Sequence, residues 1–173
     1  AAATNVTEET AFTGIHTNTI AVDSVLKLIG TTLFDDIADV DLVADIDSEG
    51  GVVSSGVYDF ASNIDLSTVT KTRLTTDLNV VVTNVFDLID GRLTNIDTWE
   101  SFDGDVSGEA DARVQVRSTD DDPTGSPTWT AWNNLDSAEF NARAYDFRVN
   151  LTSENSSFNP VISKLQVNSE ELA

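Results

Sequence analysis

Residues 103–111, DGDVSGEAD, set oxygen-bearing side chains at alternate positions: Asp103, Asp105 and Ser107, then Gly108 followed by Glu109 and Asp111. Extended backbone turns every second side chain to the same side, so this spacing gathers the hard oxygen ligands that calcium takes, with glycine at the sharp turn. Residues 45–50, DIDSEG, repeat the idea with Asp45, Asp47, Glu49 and Gly50. The bidentate acid that closes such a loop is missing from both, its place falling on Val114 and on Gly56. Calcium is therefore the one cofactor the sequence suggests, with Asp103, Asp105, Ser107 and Asp111 as its candidate ligands. Solvated acidic turns are the alternative.

Catalytic chemistry finds less support. The single histidine, His16, sits in the polar stretch TGIHTNT with no nucleophile elbow beside it. Paired carboxylates could serve glycoside hydrolysis, but among thirty acids some pair always lies close, so that pattern selects nothing. Neither a glycine-rich phosphate loop nor any cysteine is present. We expect a protein that is not an enzyme.

The aromatic residues offer a different chemistry, the stacking of sugar rings. The segment 118–132, STDDDPTGSPTWTAW, combines an acidic run, two prolines, a glycine and two tryptophans. In a strand, Trp129 and Trp132 would face opposite ways, one into the core and one outward. Trp99, in DTWESFDG, precedes a loop and is the better exposed candidate.

Charge narrows the partners. Nine Lys and Arg against thirty Asp and Glu give a formal net charge of −21 over 173 residues. Nucleic acid and anionic membrane surfaces need clustered cations, so neither is expected as a partner. No stretch approaches the roughly twenty apolar residues of a membrane span, so no membrane insertion is expected. The opening AAATNVTEET lacks the basic-then-apolar order of a signal peptide and has no initiating methionine, which suggests a segment of a longer or processed polypeptide.

The elements that would position these groups read as strands. Alternation puts Leu74, Thr76, Leu78, Val80 and Val82 on one face of 72–82, and Ala112, Val114 and Val116 inward against Arg113, Gln115 and Arg117. Over 143–151, Tyr145, Phe147, Val149 and Leu151 alternate with Ala144, Asp146, Arg148 and Asn150; over 161–167 the inward set is Val161, Leu165 and Val167. Shorter strands are expected in 20–29, broken at Asp23-Ser24, and in 52–60. Leu33, Ile37, Val40 and Val43 could line a short helix within 31–47, and 84–97 a loop or single helical turn. The pattern is all-β: an antiparallel sandwich over 16–173, with at most one or two helical turns, an acidic insertion or connection at 31–50, and a linker or N-terminal arm at 1–15.

The order of the pieces is informative in its own right. SGVYDFASNIDL (55–66) precedes WESFDG (99–104), followed by VQVRSTDDDP…SPTWTAW (114–132), ARAYDFRVNLTS (142–153) and VISKLQV (161–167). This succession resembles the repeated module near the tail tip of long-tailed bacteriophages, in the C-terminal part of J-like host-specificity proteins, and HTNTIAVDSVLKLIG (16–30) is similar to its first strands. The resemblance spans about 16–168. It implies a jelly-roll, galactose-binding-like sandwich without catalytic residues, assembled as a homotrimer with other tail-tip proteins in the virion and serving attachment to a host-surface glycan or receptor. The 118–132 segment would then be a turn whose strand returns across the core, with Asp120 bonding nearby amides. Loop position points to Trp99, Phe102, Asp97 and Asp103 as receptor contacts. A calcium-dependent carbohydrate-binding module of a secreted multidomain protein is the competing reading.

Overall fold

The structure is a computed structural model and describes residues 4–30, 51–84 and 110–172. The helical readings within 31–47 and 84–97, both acidic loops up to Glu109, and Asp97, Trp99 and Phe102 lie outside the described residues. Among the described residues every regular element is a strand: β1 (Thr4–Glu9), β2 (Ile15–Thr17), β3 (Thr19–Val22), β4 (Val25–Leu28), β5 (Ser55–Asp59), β6 (Ile64–Asn84), β7 (Ala110–Thr119), β8 (Asn133–Asn134), β9 (Ser137–Ser153) and β10 (Phe158–Glu171). Their pairings are all antiparallel. The protein is all-β, as its two-residue alternation requires.

Seven strands follow one path, β2-β5-β9-β6-β10-β4-β3, with β1 added on β10, β7 added on β9, and β8 added on β7. The end strands of that path, β2 and β3, are consecutive in the chain and separated only by Asn18, whose φ of 56° turns the backbone sharply. The path is thereby drawn into a nearly closed, barrel-like sheet. The Asn18 carbonyl accepts from the Ile29 amide at 3.1 Å, tying the corner to the end of β4. Gly56 lies under this corner, where a Cβ would meet the Asn18 carbonyl and the Thr19 and Leu28 side chains, so the closure depends on a residue without one.

Long strands serve two neighbours each. β6 pairs β9 through its first half and β10 through its second, while β9 carries β5 and the start of β6 end to end along one edge and β7 along the other. The inward sets are Leu26 and Leu28, Tyr58, Leu74, the Val114–Val116 pair, Phe147, Val149 and Leu151, and Ile162, Leu165 and Val167, all buried. Each such aliphatic or aromatic side chain contributes about 1.5–3 kcal/mol of transfer free energy.

Two departures from simple alternation have local causes. Val161 lies on the outer side and Ile162 is fully buried instead, because the register against β6 slips between Ile162 and Lys164 and places an extra residue, Ser163, in β10. Ala144 is buried alongside Tyr145, where β9 passes from its β6 partner to its β5 partner. The expected break at Asp23-Ser24 is a two-residue hairpin between Val22 and Val25, with both residues at positive φ (51° and 65°), the geometry of a type I′ turn. The stretch 1–15 contributes β1 and the core residue Phe12.

Two polar groups fasten this frame. Asn159, buried in β10, accepts from the Leu28 amide (3.0 Å) and donates to the Leu28 carbonyl (3.1 Å), standing in for a ladder rung between β4 and β10. Glu9, buried at the end of β1, accepts from the Tyr58 hydroxyl (2.6 Å) and the Ala61 amide (2.9 Å).

Candidate functional site

The outer face of the β5-β9-β7 layer brings Arg113, Arg117 and Arg148 together with Trp129 and Trp132. Strand parity turns Asp59 outward on β5, Asp146, Arg148 and Asn150 on β9, and Arg113, Gln115 and Arg117 on β7. Register aligns them in rows: Asp59–Arg148–Gln115, then Asp146–Arg117, then Val57–Asn150–Arg113. The first row continues to exposed Ile15 on β2 and to Asn134 on β8.

The 120–132 segment folds over this face. Asp122 opens a turn with Pro123 second and Gly125 fourth, closed by the Gly125 amide donating to the Asp122 carbonyl at 3.1 Å, a type I arrangement in which proline presets the backbone. Its carboxylate accepts from the Thr124 amide and hydroxyl, and that of Asp121 from the Thr128 amide. The turn amides are thus taken by Asp121 and Asp122 rather than by Asp120. Arg143 reaches Asp122 and Asp65 together and ties the turn to the start of β6. The Arg143 guanidinium holds the Asp65 carboxyl below its usual value, with the Ser67 amide adding to the effect.

Beyond the turn, Trp129 and Trp132 do not split between core and surface. The Arg117 guanidinium lies 4.8 Å from the Trp129 ring centroid and 4.6 Å from that of Trp132, and Arg148 lies 4.5 Å from Trp132. The spacing of three brings both rings to one side because the chain here is not a regular strand. Thr130 bonds to Ser118 and Asn133 pairs with Val116, so three steps on this segment match two on β7. The segment does connect two paired strands, but the tryptophans do not begin the returning one: β8 is two exposed residues on the β7 edge, and the strand that runs back beside β7 is β9, which starts at Ser137. Each cation–ring contact is worth about 0.5–2 kcal/mol, and the ladder Trp129–Arg117–Trp132–Arg148 clamps the segment to the sheet.

The charges on this face differ in their engagement. Arg117 gives Asp146 two hydrogen bonds, at 2.7 and 3.0 Å. Arg113 binds Asp111 at 2.9 Å, which occupies the one described member of the calcium candidate set; Asp111 also accepts from the Ala112 amide. Arg148 donates its Nε to Gln115 at 2.8 Å and, among the described residues, forms no ion pair. Burial raises the Asp59 carboxyl above its usual value, reinforced by Asp146 and opposed by Arg148 and Arg117. The Asn150 Oδ1 is buried without a hydrogen-bond partner.

Among the described residues no three His, Cys, Asp or Glu side chains converge as a metal site. His16 is structural: its Nε2 donates to the Phe12 carbonyl at 2.8 Å, its Nδ1 meets the Thr19 hydroxyl at 3.0 Å, and its ring tilts onto Tyr58. Both nitrogens are therefore occupied. Asp103, Asp105, Ser107, Trp99, Phe102 and Asp97 belong to the undescribed 85–109 stretch. The outward arginines of β7 and β9 were legible from alternation; their stacking with the tryptophans was not, because it depends on the irregular pairing of 130–133. No family model matches the chain, and neither a curated protein nor a solved structure matches it.

Proposed function

We propose that this chain is a structural and host-adhesion module of a bacteriophage tail tip or tail fibre, non-enzymatic and built on the jelly-roll, galactose-binding-like plan. On this reading it is homotrimeric about the tail axis, sits among other tail-tip proteins in the virion, and presents a face to a host-surface glycan or receptor. The ordered succession of motifs from SGVYDF to VISKLQV supports the family, and the antiparallel all-β architecture is compatible with it. The observation that carries the adhesive part is the Trp129–Arg117–Trp132–Arg148 ladder on an outer sheet face. Aromatic rings and guanidinium groups held on a rigid sheet are a binding surface prepared before the ligand arrives.

The test is molar mass in solution by light scattering, with and without a chelator. A trimer indifferent to chelation is the expected result. A monomer whose melting temperature falls on chelation would replace this reading with the secreted calcium-dependent carbohydrate-binding module.

A further inference from the structure

Among the described residues, one of the arginines, Arg148, forms no direct ion pair. Arg73, Arg113, Arg117 and Arg143 each hold a carboxylate, whereas Arg148 is fixed by its Nε on Gln115 and by its stacking on Trp132. Those two contacts position the guanidinium without engaging its terminal nitrogens. In a chain with thirty acids for nine bases, a cation so placed is unusual. Asp59 faces it across the β5 rung, and Asp146 lies two residues away on the same face, bound to Arg117. Its other neighbours are neutral hydrogen-bonding groups: Gln115 and Asn134, bonded to each other at 3.0 Å, and Asn150, whose buried Oδ1 has no hydrogen-bond partner.

We propose that Arg148 is the anchor of a binding site for a carboxylate-bearing sugar, a uronic or sialic acid unit. The terminal nitrogens donate side by side to the ligand carboxylate, the fork geometry that guanidinium offers and ammonium does not. Asn150 Oδ1 accepts from a sugar hydroxyl, Gln115 and Asn134 bound the site on the β7 side, and exposed Ile15 gives an apolar edge at the far end of the row. Asp59, opposite Arg148 in the register, sets the limit on affinity because its charge opposes the incoming anion. The proposal deepens the adhesion reading by naming its ligand class.

Isothermal titration calorimetry with oligouronate, sialyllactose and a neutral galactose oligomer tests it on the whole chain, with Trp fluorescence as a second readout. One or both acidic sugars should bind and the neutral one should not; which acid binds identifies the source of the carboxylate. Arg148→Met should weaken binding at least tenfold, and Arg148→Lys should not restore it fully. Asp59→Asn should tighten it severalfold, a gain that loss of folding cannot mimic. Unchanged affinity in Arg148→Met, equal binding of the neutral sugar, or no binding of either acid overturns the site. Host-cell attachment measured alongside separates the two readings. Attachment that survives Arg148→Met leaves adhesion standing without this site, and acidic-sugar binding without attachment leaves the site standing without that role.

Discussion

Glu9 and Tyr58 meet in the core across 49 positions of sequence, the phenol donating to the carboxylate at 2.6 Å. Tyr58 is fully buried, and its oxygen also accepts from the Gly14 amide at 2.9 Å. A Cβ at Gly14 would collide with the Asp59 carbonyl, so the close approach that makes this bond possible needs glycine. One hydroxyl thus joins the end of β1, the turn before β2, and β5.

Tyr58→Phe should destabilise the fold by about 1.5–3 kcal/mol, because a hydrogen bond to a charged group is lost and the Gly14 amide loses its acceptor. Urea unfolding with an unchanged slope is the measurement. The same pair sets an alkaline limit. Burial, and then the bond to Glu9, push the Tyr58 hydroxyl well above its ordinary value of 10.0, so the folded state favours the neutral phenol. That contribution is complete below the ordinary value and is lost as pH rises from there toward the folded-state value. Stability should therefore fall above pH 10.0 in the wild type and fall less steeply in Tyr58→Phe. Some slope will remain, since burial also raises Tyr145. Identical alkaline slopes in the two proteins would show that Tyr58 ionises no differently in the folded chain.

Asn159 supports a second stability prediction. Its side chain serves both the amide and the carbonyl of Leu28, 131 positions away, at a place where β4 and β10 share only the Ile162–Leu26 rung. Asn159→Ala would leave two buried backbone groups unpaired, at a cost of roughly 2–4 kcal/mol. Asn159→Asp should cost more than Asn159→Ala, because a carboxylate still accepts from the amide but sets a charge against the carbonyl. The reverse order in denaturant unfolding would refute the two-bond account. Hydrogen exchange should show β3 and β4 opening first in either variant.

Strand parity made much of the frame legible in the sequence. Ala112, Val114 and Val116 are buried as their alternation demands, as are Phe147, Val149 and Leu151. The failures sit at single extra residues. Ser163 reverses the parity of Val161 and Ile162, and the additional step between Thr130 and Asn133 brings Trp129 and Trp132 to one side. Pro160 precedes the first slip and Pro127 the second, but neither residue fixes where the extra step falls, and pairing with β6 or β7 decides it. Closure of the sheet was hidden for a related reason, since it rests on one asparagine taking a left-handed conformation. The ladder shares the first kind of concealment: its arginines could be read from alternation, but the rings that cover them depend on the extra step between Thr130 and Asn133.

Charge supplies the last prediction. Nine cations can neutralise at most nine of thirty acids, so repulsion among the remaining carboxylates opposes the compact state at neutral pH. Salt weakens attraction and repulsion alike, yet the described ion pairs are mainly exposed: Lys71–Glu139, Arg73–Glu170 and Arg113–Asp111 all have substantially accessible side chains. Such pairs are each worth about 1 kcal/mol or less, so little is lost when they are screened. Raising sodium chloride to about 1 M shortens the screening length to roughly 3 Å, and repulsion acting over longer distances is suppressed. Relief of about 1–2 kcal/mol would raise the melting temperature by roughly 2–8 °C in a domain of this size. Calorimetric scans over that salt range at pH 7 provide the measurement. A melting temperature that falls with salt would mean that the ion pairs, Arg117–Asp146 and Arg143–Asp65 foremost, outweigh the repulsion they are set within.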